Sequence, residues 1–169
     1  LEGISPNLQR AVLVAEDSAF CDHFGFDWKQ IERNLDKAMD GKRFGGASTI
    51  TQQTAKNLFL WNGRSWLRKF LEAPITLWME LMMSKRRIME IYLNTAQWGD
   101  GVYGAQFAAK KYFGVDAKEL SLYQSALLAA ALPNPIERSP GYPGPYMASA
   151  AASISARVSK NGANLECIK

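Results

Sequence analysis

Two stretches of this chain concentrate residues able to do chemistry. In "VAEDSAFCDHFGFDW", residues 14–28, Glu16 and Asp17 end an apolar run, and Phe20, His23, Phe24 and Phe26 follow. A glutamate set against aromatic side chains loses hydration, which raises its pKa toward that of a working general base. The plain alternative is an acid at a helix end on the surface. His23 alone reads as a structural hydrogen-bonding histidine rather than a catalyst.

The second stretch is "GGASTITQQTAKNLFL", residues 45–60. It packs Ser48, Thr49, Thr51, Gln52, Gln53, Lys56 and Asn57 into a polar strip for which a hydrophobic core has no use. A glycine loop entering a helix presents unpaired N–H groups and the positive end of the helix dipole. Ser48 and Thr49 add hydroxyls there, and Gln52, Gln53 and Lys56 share a helix face. Such a face suits sugar hydroxyls and phosphate together, against the alternative of a capped, solvated helix. Arg64, Arg68 and Lys69 follow shortly after, with Glu72 spaced i,i+4 from Arg68. A lone surface ion pair contributes little. Four cations, counting Lys56, beside a glycine-rich loop point instead to a diphosphate.

The elements that must position these residues read as mostly helical. Ser5 and Pro6 start a helix that reaches Glu16. Asp27, with Gln30 three residues on, starts a second, whose inner face is expected at Ile31, Leu35 and Ala38 and whose end is at Gly41. Ser48 is expected to cap a third, running to about Leu60. A long amphipathic stretch from Trp66 to about Asn94 has Leu67, Leu71, Ile75, Trp78, Leu81, Met82, Ile88 and Ile91 on its apolar side. Pro74 predicts a kink or break near residues 70–74. "WGDGVYG" is a glycine-rich loop, with a small hairpin as the most sheet expected, and "AQFAAKKYFG" is a helix closed by Gly114. Ser121 and Gln124 start "LYQSALLAAALP". "PNPIERSPGYPGPY" is irregular coil, and the tail from Met147 holds one more helix.

At 169 residues the chain suits one domain with a sizeable core. Its 47% hydrophobic and 21% charged residues exclude wholesale disorder. A net charge of +4 suits phosphate, nucleic acid or a membrane surface without choosing among them. No apolar run approaches the roughly 18–20 residues that cross a bilayer. The chain begins at Leu1 rather than Met, so a trimmed piece is expected, its membrane anchor lying outside residues 1–169. Cys21 and Cys167 have no metal-ligand spacing, and a disulfide and two free thiols both stay open. With one His there is no protein-built zinc site.

Taken in order, "EDSAFCDHFGFDW", "GGASTITQQTAKNLFL", "RSWLRKFLEA", "KRRIMEIYLN" and "GVYGAQFAAKKYFG" resemble the five successive motifs of bacterial peptidoglycan glycosyltransferases. "LSLYQSALLAAALPNP" resembles that family's usual ending. "TAKNLFLWNGRSW" and "LNTAQWGDGVYG" resemble its monofunctional biosynthetic branch, and the match covers about residues 4–136. The resemblance implies a mainly α, lysozyme-like domain that joins lipid II units into β-1,4-linked glycan with inversion and release of undecaprenyl diphosphate.

It implies Glu16 as general base, Asp17 positioning the site, and Glu72 assisting at the diphosphate directly or through its cationic neighbours. It places Ser48, Thr49, Gln53, Lys56 and Asn57 at donor sugar and phosphate, and Arg64, Arg68 and Lys69 at the diphosphates. Glu80 and Glu90 are expected to be structural. No organic cofactor is implied, though Mg or Mn could bridge diphosphate oxygens. The implied partners are lipid II, the growing strand, the membrane and other cell-wall synthesis proteins, but no nucleic acid. The implied place is the cytoplasmic membrane, with the domain facing the periplasm or outer side. No transpeptidase domain accompanies it, so glycan would be polymerised without peptide cross-linking. "NLFLW" and Trp66 suit either a membrane-touching edge or an ordinary core face.

Two rival classes remain. A lytic muramidase-type hydrolase would cleave glycan without lipid II, and it leaves the basic strip unexplained. A silent module that docks lipid-linked precursors would keep the strip but survive loss of Glu16.

Overall fold

The computed structural model describes residues 1–41, 46, 48–61, 63, 65–161 and 164–169, and among these the chain is mostly helical. In chain order come α1 (Pro6–Glu16), α2 (Trp28–Met39), α3 (Ile50–Phe59), α4 (Trp66–Met82) and α5 (Lys85–Thr95). A short antiparallel hairpin follows, β1 (Gln97–Gly99) with β2 (Val102–Tyr103), and then α6 (Ala105–Phe113), α7 (Leu122–Ala131) and α8 (Pro145–Asn161).

Helix α7 is apolar all round, and Ser125 to Ala131 are buried without a break, which marks a central helix. Both α1 and α8 pack against it. Leu8, Ala11, Val12 and Leu13 of α1 are the apolar stripe that this contact buries. The Ser5 hydroxyl accepts the Asn7 N–H and donates to the Leu120 carbonyl at 2.9 Å, so one side chain caps α1 and ties it to the turn before α7. A second group forms as α3 packs on α4 and α5.

Helix α4 is one helix through Pro74, and the break comes at Met83 and Ser84. The expected interruption near residues 70–74 is therefore corrected. Pro74 stands on the exposed face, where water can meet the carbonyl that its missing N–H leaves free. The apolar side read for this stretch is also corrected. Glu72, Thr76, Met79 and Glu80 turn inward, while Trp66, Leu67, Phe70, Trp78, Leu81 and Met82 face out. Likewise α2 exposes Leu35 and Ala38, and it packs only loosely on the other elements. "NLFLW" is no core face either, because Leu58, Phe59 and Trp61 are exposed.

Gly25 (φ 78°) lets the loop before α2 lie directly on α4: a Cβ there would sit 2.8 Å from Thr76 Cγ2. Its carbonyl accepts the Thr49 hydroxyl at 2.6 Å. Thr49, not Ser48, caps α3, with a reciprocal bond from its own N–H to Gln52.

Cys21 and Cys167 form a disulfide across 146 residues of sequence, so the segment after α8 is tied to the loop after α1. Closing so long a loop removes much entropy from the unfolded chain. Reducing it, or replacing both residues by Ser, is expected to lower unfolding stability by about 2–5 kcal/mol. Urea denaturation with and without reductant measures this, and coincident midpoints would refute it.

Candidate active site

The C-terminal end of α1 delivers Glu16 and Asp17 side by side. Asp17 is buried and spent on architecture: one oxygen accepts the Ile50 N–H at the start of α3 at 2.9 Å, and the other meets His23 Nε2 at 2.9 Å. The bond from Ile50 satisfies the first α3 N–H and fixes where α3 begins relative to α1. His23 is a structural partner of Asp17, as expected.

Glu16 instead faces a cleft of about 520 Å³ between α1, α3 and α4. Its walls carry Gln53 and Lys56 from α3, Arg68, Lys69 and Glu72 from α4, and Leu132 and Pro133 after α7. Gln53 Nε2 donates to Glu16 Oε2 at 2.9 Å. Burial raises the Glu16 pKa above its ordinary value, opposed by the Gln53 hydrogen bond, raised further by Asp17, and lowered by Arg138 and Lys56. The aromatic residues expected to desolvate Glu16 go elsewhere. Phe20 lies under Lys85 (4.4 Å to the ring centroid), Phe26 packs on Trp28, and Phe24 is half exposed. The cleft walls do that work instead.

On the opposite wall Glu72 is buried with both oxygens engaged, one by Arg68 and the other by Lys69 at 2.7 Å. It holds two cations at the cleft rather than offering a free acid. The Lys69 ammonium also reaches Ser48 Oγ at 3.3 Å. Lys56 has its pKa lowered, by burial first and then by the like charge of Arg68. Crowded cations that lose hydration together gain most from an anion placed among them.

Past Glu16 the cleft continues into a polar recess of about 200 Å³, bordered by Asp27, Gln30, Ser48, Thr49 and Arg157. Glu16 and Ser48 line both halves. The structure thus gathers Glu16, Ser48, Gln53, Lys56, Arg68, Lys69 and Glu72 around one space. Thr49 borders the recess, but its hydroxyl is committed to Gly25 and Gln52. Asn57 is exposed and lines neither half, and Arg64 lies outside the described residues. Gln52 lends its carbonyl to the capping box rather than to a ligand.

Arg138, whose charge reaches Glu16, was not among the residues singled out by sequence, because a proline-rich coil has no periodicity to aim it. Glu80 and Glu90 lie off the cleft: Glu80 accepts from Thr51 at 2.6 Å and pairs with Lys85 at 2.7 Å, while Glu90 pairs with Arg87. Among the described residues no group of three or more His, Cys, Asp or Glu is placed to hold a metal ion.

The sequence model of a family described as "Transglycosylase" matches residues 1–159. A biosynthetic peptidoglycan transglycosylase of Rhizobium meliloti (strain 1021) is 48% identical over 167 residues, covering 99% of this chain and 71% of that protein. Its namesake in Brucella suis biovar 1 (strain 1330) is 50% identical over 169 residues, covering 100% and 75%. Another from Pseudomonas putida (strain W619) is 53% identical over 161 residues, covering 95% and 68%. The chain belongs to the transglycosylase family, and its helical architecture is that family's lysozyme-like glycosyltransferase fold.

Proposed function

We propose that this domain polymerises peptidoglycan glycan from lipid II. The observation that carries the reading is one desolvated carboxylate, Glu16, facing a wall of three cations, Lys56, Arg68 and Lys69. The 4-hydroxyl of an incoming GlcNAc attacks the anomeric carbon of a MurNAc linked to undecaprenyl diphosphate. Glu16 takes the hydroxyl proton, the new C–O bond forms as the bond to diphosphate breaks, and the configuration inverts from α to β. The diphosphate departs as an anion that is already stable, so it needs cations rather than a protonating acid.

Glu72 serves by holding Arg68 and Lys69 in place. A hydrolase would want a second free carboxyl flanking the bond, and Glu72 has no free oxygen to offer. The donor diphosphate sits on the cationic side of Glu16, and the acceptor sugar enters from the polar recess. With both Glu72 oxygens engaged, a divalent ion such as Mg or Mn would arrive on the diphosphate, not in a protein cage.

The outward apolar face completes the proposal. Trp66 (92% exposed), Phe70, Leu81 and Met82 on α4 suit the interface of the cytoplasmic membrane on its outer side. There the lipid tail stays in the bilayer while the sugars enter the cleft. No helix among the described residues is long and apolar enough to cross a membrane.

The test is incubation with labelled lipid II in detergent and in vesicles, read on a glycan-resolving gel. Muramidase-sensitive strands are expected. Cleavage of preformed glycan without lipid II would favour a hydrolase, and binding of lipid II without strands would favour a docking module.

A further inference from the structure

We propose that Tyr92 is a positioning residue for the reaction, holding Gln53 in the orientation that aims its N–H at Glu16. This rests on Glu16 being the base. Tyr92 stands on α5, behind the cleft wall, and is 1% exposed. Its hydroxyl donates to Gln53 Oε1 at 3.1 Å, and Gln53 Nε2 donates to Glu16 Oε2 at 2.9 Å.

The two ends of a glutamine amide are nearly equal in size, so packing does not choose between its orientations. Hydrogen bonds do. A buried hydroxyl left without an acceptor is costly, and Gln53 Oε1 is the acceptor that satisfies Tyr92. Turned the other way, Gln53 would set its carbonyl against the Glu16 carboxylate, two acceptors facing each other. Tyr92 thus selects the rotamer that supports a charged, proton-accepting Glu16 without touching the substrate.

Among the described residues the charges around Glu16 are Asp17 on its own helix, Lys56 from α3 and Arg138 from the segment after α7, with Arg68, Lys69 and Glu72 across the cleft on α4 and Asp27 and Arg157 at the recess. Removing the Tyr92 hydroxyl alters none of them. A change in the titration of Glu16 therefore reports on the Gln53 bond. That bond favours the ionised form, so weakening it raises the Glu16 pKa and moves the acid limb of the rate profile to higher pH.

The experiment measures polymerisation against pH for Tyr92→Phe, Gln53→Leu, the double variant and Glu16→Gln. Tyr92→Phe is expected to lower kcat by about tenfold, a fraction of the whole general-base contribution. KM should change little, and the acid limb should rise. The double variant should be no slower than Gln53→Leu alone, because the hydroxyl acts only through that amide. An unmoved acid limb, or effects that multiply, would overturn the proposal. If Tyr92→Phe does not fold, an unmoved acid limb in Gln53→Leu would still overturn the proposal, because Tyr92 acts only through that amide. Strands from Glu16→Gln would instead overturn the base assignment. An inactive Glu16→Gln beside an unmoved Tyr92→Phe profile would overturn only the role of Tyr92.

Discussion

Glu16→Gln is expected to polymerise about 10²–10⁴-fold more slowly than the wild type, so that no strands form in the time the wild type needs, the usual contribution of a positioned general base. The amide keeps the size and one acceptor of the carboxylate but cannot take the proton from the attacking hydroxyl. Lipid II should still bind, because Lys56, Arg68 and Lys69 are untouched on the facing wall. A glycan gel beside a filter-binding assay separates the two effects. In the wild type, the rate should rise with pH through a value above that of an ordinary glutamate. Burial is the largest influence on Glu16 and keeps the proton on at pH values where an exposed glutamate has lost it. An acid limb at or below the ordinary value would count against Glu16 as the base.

The second large effect belongs to stability. Glu80→Ala is expected to cost about 3–5 kcal/mol, because removing one partner of a buried pair strands the other charge. The Glu80 side chain is 2% exposed and that of Lys85 14%. Thr51 donates to the same carboxylate oxygen from α3, and Lys85 rests on the Phe20 ring of the loop after α1. One carboxylate thus joins α3, α4, the start of α5 and the loop that carries His23. Urea denaturation measures the loss, and Glu80→Gln should cost less because its amide oxygen can still accept both donors. A Glu80→Ala protein of unchanged stability but lost activity would show the assignment of Glu80 to structure to be mistaken.

What could be read in advance divides along the reach of the forces involved. Helix starts at Ser5, Asp27 and Ser121 were legible, since a cap joins a side chain to a backbone N–H two or three residues away. So were the pairing of Gln53 with Lys56 on α3 and that of Arg68 with Glu72 on α4, because i,i+3 and i,i+4 spacing puts residues on one face. Which way a face points is a different matter. Periodicity gathered apolar residues on one side of α4 but could not show that this side faces out, and the helix turned Glu72, Thr76 and Glu80 inward because their partners were there. Ser48 lost the cap to Thr49 because Gly25, 24 residues earlier, supplies the acceptor for the Thr49 hydroxyl. Tyr92 and Arg138 reach Glu16 only through tertiary packing, which no local spacing announces.

The Cys21–Cys167 bridge also sets an order of events in the making of the molecule. A chain synthesised or exported from its N-terminus presents Cys21 well before Cys167, with helices α2 to α8 between them. The bond that secures the loop beyond Glu16 and Asp17 can therefore close only after Cys167 has been delivered. Until then Cys21 is an available thiol, open to wrong partners. Oxidation during synthesis should trap misjoined chains, whereas oxidation after folding should give one species. The bridge is a latch fastened after helices α2 to α8 have been made, and it makes correct assembly depend on when oxidant is met.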